Sequence, residues 1–99
     1  MILLHIDHTT PNFEAWKTSF DSFAALRQQS GMRRYRIVRP VDNPNCAMID
    51  LEFDNLGDAQ SLLAAVHQVW QRVGGTLIKD PQWRFCEVVE TQEYLPHTS

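Results

Sequence analysis

Cysteine is scarce in this chain. Cys46 and Cys86 are the only two in 99 residues, 40 positions apart, and no CxxC pair occurs. Neither a zinc site nor a disulfide framework is suggested, and both thiols are expected to be buried and reduced. Long apolar runs are missing too. Nothing approaches the roughly 20 residues that span a bilayer, and His5 and Asp7 interrupt the opening MILLHIDHTT where a signal peptide needs its apolar stretch. A cytoplasmic protein without a membrane partner is expected. Positive charge is not in excess: the net charge is -3, which disfavours non-specific attraction to nucleic acid. Internal repeats, low-complexity tracts and linkers are absent as well, so residues 1–99 are expected to form one domain, with 92–99 as a polar tail.

What remains is 43% hydrophobic and 21% charged, the composition of a globular chain. From Ile2 to Thr9, ILLHIDHT reads as a buried strand with Ile2, Leu4, Ile6 and His8 on its apolar face and Leu3, His5 and Asp7 on the other. Thr10 before Pro11 predicts an N-cap and helix start. Phe13, Trp16, Phe20 and Phe23 then recur at helical spacing up to a stop at Gly31. Met32 to Arg39 predicts a second strand, with Tyr35 and Ile37 facing away from Arg34, Arg36 and Val38. PVDNPN follows as a loop.

Cys46 to Phe53 alternates most clearly, with Ala47, Ile49, Leu51 and Phe53 on one face. Asp54 or Asn55 can cap a second helix that runs to about Val73 and stops at Gly74-Gly75. A loop through Asp80 and Pro81 then leads to a last strand in WRFCEVVE. The order βαββαβ predicts an α+β ferredoxin-like split βαβ fold: a four-stranded antiparallel sheet with two helices on one face. The other face, with Leu3, His5, Asp7, Met48 and Val88, is left for a homodimer partner.

The segment from His8 to Lys17, with Phe20-Asp21, Leu26-Arg27, Gly31, Val41 to Asn45 and Asp54 to Ala59, resembles the small dimeric α/β-barrel proteins related to antibiotic biosynthesis monooxygenases. The likeness extends over nearly the whole chain. It implies two sheets packed face to face and a ligand pocket between each sheet and its helices. Among such proteins are cofactor-free monooxygenases, haem-degrading enzymes, isomerase-like and cyclase-like proteins, and many with no known activity.

His8, at the end of the first strand near Trp16, is the candidate general base, since an unperturbed histidine titrates near 6.5. A strand-end histidine that merely caps a turn is the plainer account. Trp16, Tyr35, Arg36, His67, Trp70 and Trp83 are the candidate substrate-binding residues, although helix-spaced aromatics are also how any helix is buried. His67 on a helix is placed as a haem ligand is in the haem-degrading relatives, but the surrounding residues do not match that pattern, and no cofactor is expected. HxDH at 5–8 offers too few ligands for a metal site. Arg33, Arg34, Arg36 and Arg39 fit a charged edge strand. No aromatic platform of the RNA-binding kind is displayed. Two functions stay open: a cofactor-independent monooxygenase-like enzyme for a small aromatic or polyketide-like molecule, or a non-catalytic ligand-binding or assembly protein.

Overall fold

Alternating apolar residues put one side of the two central strands under the helices. The computed structural model describes residues 1–73 and 77–96. Its elements are β1 (Ile2–Thr9), α1 (Phe13–Asp21), α2 (Ala24–Gln29), β2 (Met32–Val38), β3 (Cys46–Phe53), α3 (Leu56–Val73) and β4 (Lys79–Glu87). The strands lie in the order β2-β3-β1-β4, and every neighbouring pair is antiparallel. This is the ferredoxin-like α+β fold. In the register Ile2 opposes Phe53, Ile6 opposes Ile49 and Trp83, and Tyr35 opposes Leu51. Leu4, Ile6, Ala47, Ile49, Leu51 and Phe53 therefore share the covered face and meet Trp16 of α1 and Ala59, Leu62 and Leu63 of α3 in the core.

Local chemistry shifts three boundaries. Thr10 is buried, and its amide donates to the Asn45 carbonyl at 2.7 Å. Asn12 caps α1 instead, its side-chain oxygen accepting from the Ala15 amide at 3.1 Å. The expected single helix from Thr10 to Gly31 is two: the Ser22 hydroxyl donates to the Ser19 carbonyl at 2.6 Å, and the Ser22 and Phe23 amides turn back three residues. Such back-bonding tightens and ends a helical run. Finally, Asp80 and Pro81 belong to β4, not to a loop before it. β4 is an edge strand, where proline removes no ladder bond. Asp80 takes a positive φ of 53°, and the pairing with β1 shifts register between Asp7 and Thr9. The strand ends at Glu87, short of the expected Glu90.

Asn55 caps α3, accepting from the Asp58 amide at 2.8 Å. The expected stop at Gly74-Gly75 lies outside the described residues, as do the last three residues of the tail. Both cysteines are free and half-buried rather than fully buried. No helix among the described residues is long and apolar enough to cross a membrane.

Gly31 joins the helical segment to β2 with φ at 83°, and a Cβ there would lie 2.6 Å from a carboxylate oxygen of Asp58. Both the left-handed backbone and the close approach require glycine. Gly31→Ala is expected to cost about 1–3 kcal/mol, read as a lowered urea midpoint at unchanged slope. An unchanged midpoint would mean that the α2–β2 turn relaxes freely.

Candidate functional site

A cavity of about 90 Å³ lies between the sheet and the helices. The sheet supplies Ile6, His8, Ile49 and Leu51 to its wall. From α1, α2 and their junction come Trp16, Ser19, Phe20, Phe23 and Arg27, and from α3 come Leu62, Val66, Val69 and Trp70. The wall is thus apolar and aromatic, with His8, Ser19 and Arg27 as its polar interruptions, the ordinary make-up of a small-molecule site. An apolar cavity of about 150 Å³ admits benzene, so this smaller one takes a single ring only when its walls or mouth open.

His8 is 2% exposed. Alternation along β1 turns it inward, and its ring meets Trp16 edge-on with centroids 5.2 Å apart. Its Nδ1 lies 3.3 Å from the Thr9 carbonyl. A carbonyl only accepts, so Nδ1 carries the proton and Nε2 presents a lone pair. Nε2 is buried and has no hydrogen-bond partner among the described residues. Burial pushes the His8 pKa below the usual 6.5, outweighing the upward pulls of the Thr9 carbonyl and Asp7. The ring is therefore neutral at pH 7.

The other candidates separate by strand face and helix. Trp16 and Trp70 line the cavity with His8. Tyr35 is 43% exposed and stands outside it, its ring against Phe20 at 5.2 Å. His67, Trp70 and Trp83 form a cluster of their own, with centroids 4.6 to 5.8 Å apart, joined to the cavity through Trp70. The His67 Nε2 is also without a partner among the described residues. Arg36 needs correcting as a pocket residue: it projects from the opposite face of the sheet, where it pairs with Asp50 at 3.1 Å. In the sequence Arg27 stands only in the Leu26-Arg27 pair that carries the resemblance and not among the candidate site residues, because one cation in a helical stretch carries no mark until folding sets it against a cavity.

The helix-free face is charged and internally paired. Both ring nitrogens of His5 face carboxylates, Asp50 at 2.7 Å and Asp7 at 3.2 Å. Arg34 pairs with Glu52 at 2.5 Å. Burial alone would raise the Asp50 pKa, but hydrogen bonds from His5 and Arg36 together hold it below the usual carboxylate value. Among the described residues, no group of three or more His, Cys, Asp or Glu is placed to hold a metal ion.

Solved structures share this architecture over nearly its whole length. A proposed antibiotic biosynthesis monooxygenase from Deinococcus radiodurans superposes with a TM-score of 0.70 and 19% identity, covering 97% of this chain and 100% of its own. SnoaB, a cofactor-independent oxygenase from Streptomyces nogalater, gives 0.73 and 16% over 91% of this chain and 94% of its own. A dimeric ferredoxin-like protein from an uncultured marine organism gives 0.66 and 9% over 95% and 100%. Likeness at these identities establishes the fold. No protein-family model matches the sequence, and no curated protein matches it.

Proposed function

We propose that this chain, which carries the ferredoxin-like fold of the antibiotic biosynthesis monooxygenase-like proteins, binds a small aromatic molecule in the cavity beneath its helices and oxidises it with dioxygen. His8 is the general base, and no metal or flavin takes part. One observation carries this reading: a neutral histidine whose Nε2 is buried, unpartnered among the described residues and set in the cavity wall. A buried polar atom without a partner costs free energy, and a ligand hydroxyl would supply the missing bond.

In such a reaction Nε2 takes the proton of a phenolic hydroxyl, leaving an anion whose ring carbon is nucleophilic. That carbanion reacts with dioxygen to form a hydroperoxide. Loss of water then gives a quinone, so that one phenol and one dioxygen become one quinone and one water. The protein contributes position and a dry apolar environment. Trp16 and Trp70 shape the cavity, while Tyr35 and the cluster of His67 and Trp83 support its margin.

The second reading, a non-catalytic ligand-binding or assembly protein, draws on a specific feature. Among the described residues no carboxylate touches the His8 ring; the Thr9 carbonyl alone orients it. Oxygen consumption against a panel of monocyclic phenols separates the two. An enzyme consumes dioxygen in proportion to quinone formed, whereas a binder raises the thermal midpoint and turns nothing over.

The same proposal includes a homodimer through the helix-free face, in keeping with the dimeric ferredoxin-like protein of similar fold. Charges on this face are largely neutralised within the chain by the His5, Asp50 and Arg36 network and the Arg34–Glu52 pair. Leu3, Met48 and Val38 are then left to meet a partner. Sedimentation equilibrium is expected to return about twice the 11.5 kDa chain mass. A particle of single-chain mass at micromolar concentration would remove the dimer.

A further inference from the structure

Arg27 is placed unlike its neighbours in sequence. Arg33, Arg34 and Arg36 each pair with a carboxylate, on Asp54, Glu52 and Asp50. Arg27 is half-buried in the cavity wall and has no carboxylate within ion-pair distance among the described residues. Its guanidinium carbon lies 3.9 Å from the Phe20 ring centroid and 5.2 Å from that of Tyr35. One nitrogen donates to the Phe20 carbonyl. That accounts for one of five N–H donors. No acidic side chain shares the wall. A cation partly withdrawn from water without a counter-ion is costly, and the aromatic faces offset only a part of that cost.

The geometry points to Arg27 as the residue that selects an anion for this cavity: the ligand is a single-ring aromatic that carries a carboxylate. This rests on the ligand-site reading above and adds the ligand's charge. A planar carboxylate takes the guanidinium's free donors as a forked pair, while the ring lies against the aromatic wall and a ring hydroxyl reaches the His8 lone pair. The ligand's hydroxyl thereby supplies the partner that His8 Nε2 lacks, and its carboxylate supplies the counter-ion that Arg27 lacks. The small cavity favours a ligand body of no more than one ring.

An anionic and a neutral probe test this: 4-hydroxybenzoate and 4-hydroxybenzyl alcohol, each titrated against the whole chain by tryptophan fluorescence, since Trp16 and Trp70 line the cavity. The carboxylate is expected to bind at least about tenfold more tightly than the alcohol. Arg27→Gln should bring the ratio to about one, chiefly through a loss of carboxylate affinity. Arg27→Met keeps the apolar stem over Phe20 and Tyr35 and should give the same result if the glutamine variant fails to fold. Equal affinity of the wild-type chain for both probes, or an anion preference that survives loss of the guanidinium, overturns the assignment but leaves the ligand site standing. Binding of neither probe overturns the ligand site and this inference together. A general structural role for Arg27 would lower the thermal midpoint without moving the ratio.

Discussion

His8→Gln is expected to lower oxygen uptake with a monocyclic phenol by about 10²–10⁴-fold, the usual contribution of a positioned general base. Glutamine matches the imidazole closely in volume, so the cavity persists and the affinity for substrate should change far less than the turnover. Uptake within threefold of wild type would remove His8 from the chemistry. A parallel loss of binding would make it a positioning residue. The pH dependence adds an independent check. Burial holds the His8 pKa below 6.5, so the base form persists through neutrality, and kcat/KM should fall only as the pH drops below that value. Stability follows the same sign. The unfolded chain takes up this proton before the folded chain does, so stability is lost as pH falls from about 6.5 towards the folded pKa. That slope should be absent from the glutamine variant.

Trp16→Ala is expected to have the largest effect on stability. The indole is buried and contacts His8, Phe13 and Phe20 with ring centroids 5.2 to 5.5 Å apart. Truncating it removes the aromatic link between α1 and the sheet and merges the vacated space with the cavity. Losses of about 3–5 kcal/mol are usual for such a change, against a total of about 5–15 kcal/mol for a domain. At this chain length the thermal midpoint should fall by about 15–30 °C. Added indole should restore several degrees to the variant and much less to the wild type, because only the variant has lost that volume. A fall of under about 5 °C, or equal shifts in both proteins, would show that Trp16 does not wedge the helix against the sheet.

Much of this arrangement is legible in the residues. The alternation over Cys46 to Phe53 marks the covered face without ambiguity, and ILLHIDHT places His8 on that face by parity alone. The same parity puts Arg36 on the face opposite Tyr35, away from the cavity. The break after Asp21 was hidden because Phe13, Trp16, Phe20 and Phe23 keep helical spacing across it. What ends the run is a serine hydroxyl turning onto its own backbone. Asp80 and Pro81 resemble a turn in any sequence, and only the free outer edge of β4 makes them acceptable within a strand. Arg27 became visible through its lack of a counter-ion, a property of the assembled neighbourhood rather than of any local pattern.

The strand order has a consequence for how the chain reaches this state. β1 occupies an interior position of the sheet, flanked by β3 and by β4, the last strand to be made. On the ribosome, Ile2–Thr9 must wait for some seventy further residues before its second flank is covered, and until then it exposes a hydrogen-bonding edge. Nascent chains stalled before Lys79 should therefore associate through that edge, and release of Lys79–Glu87 should end the association.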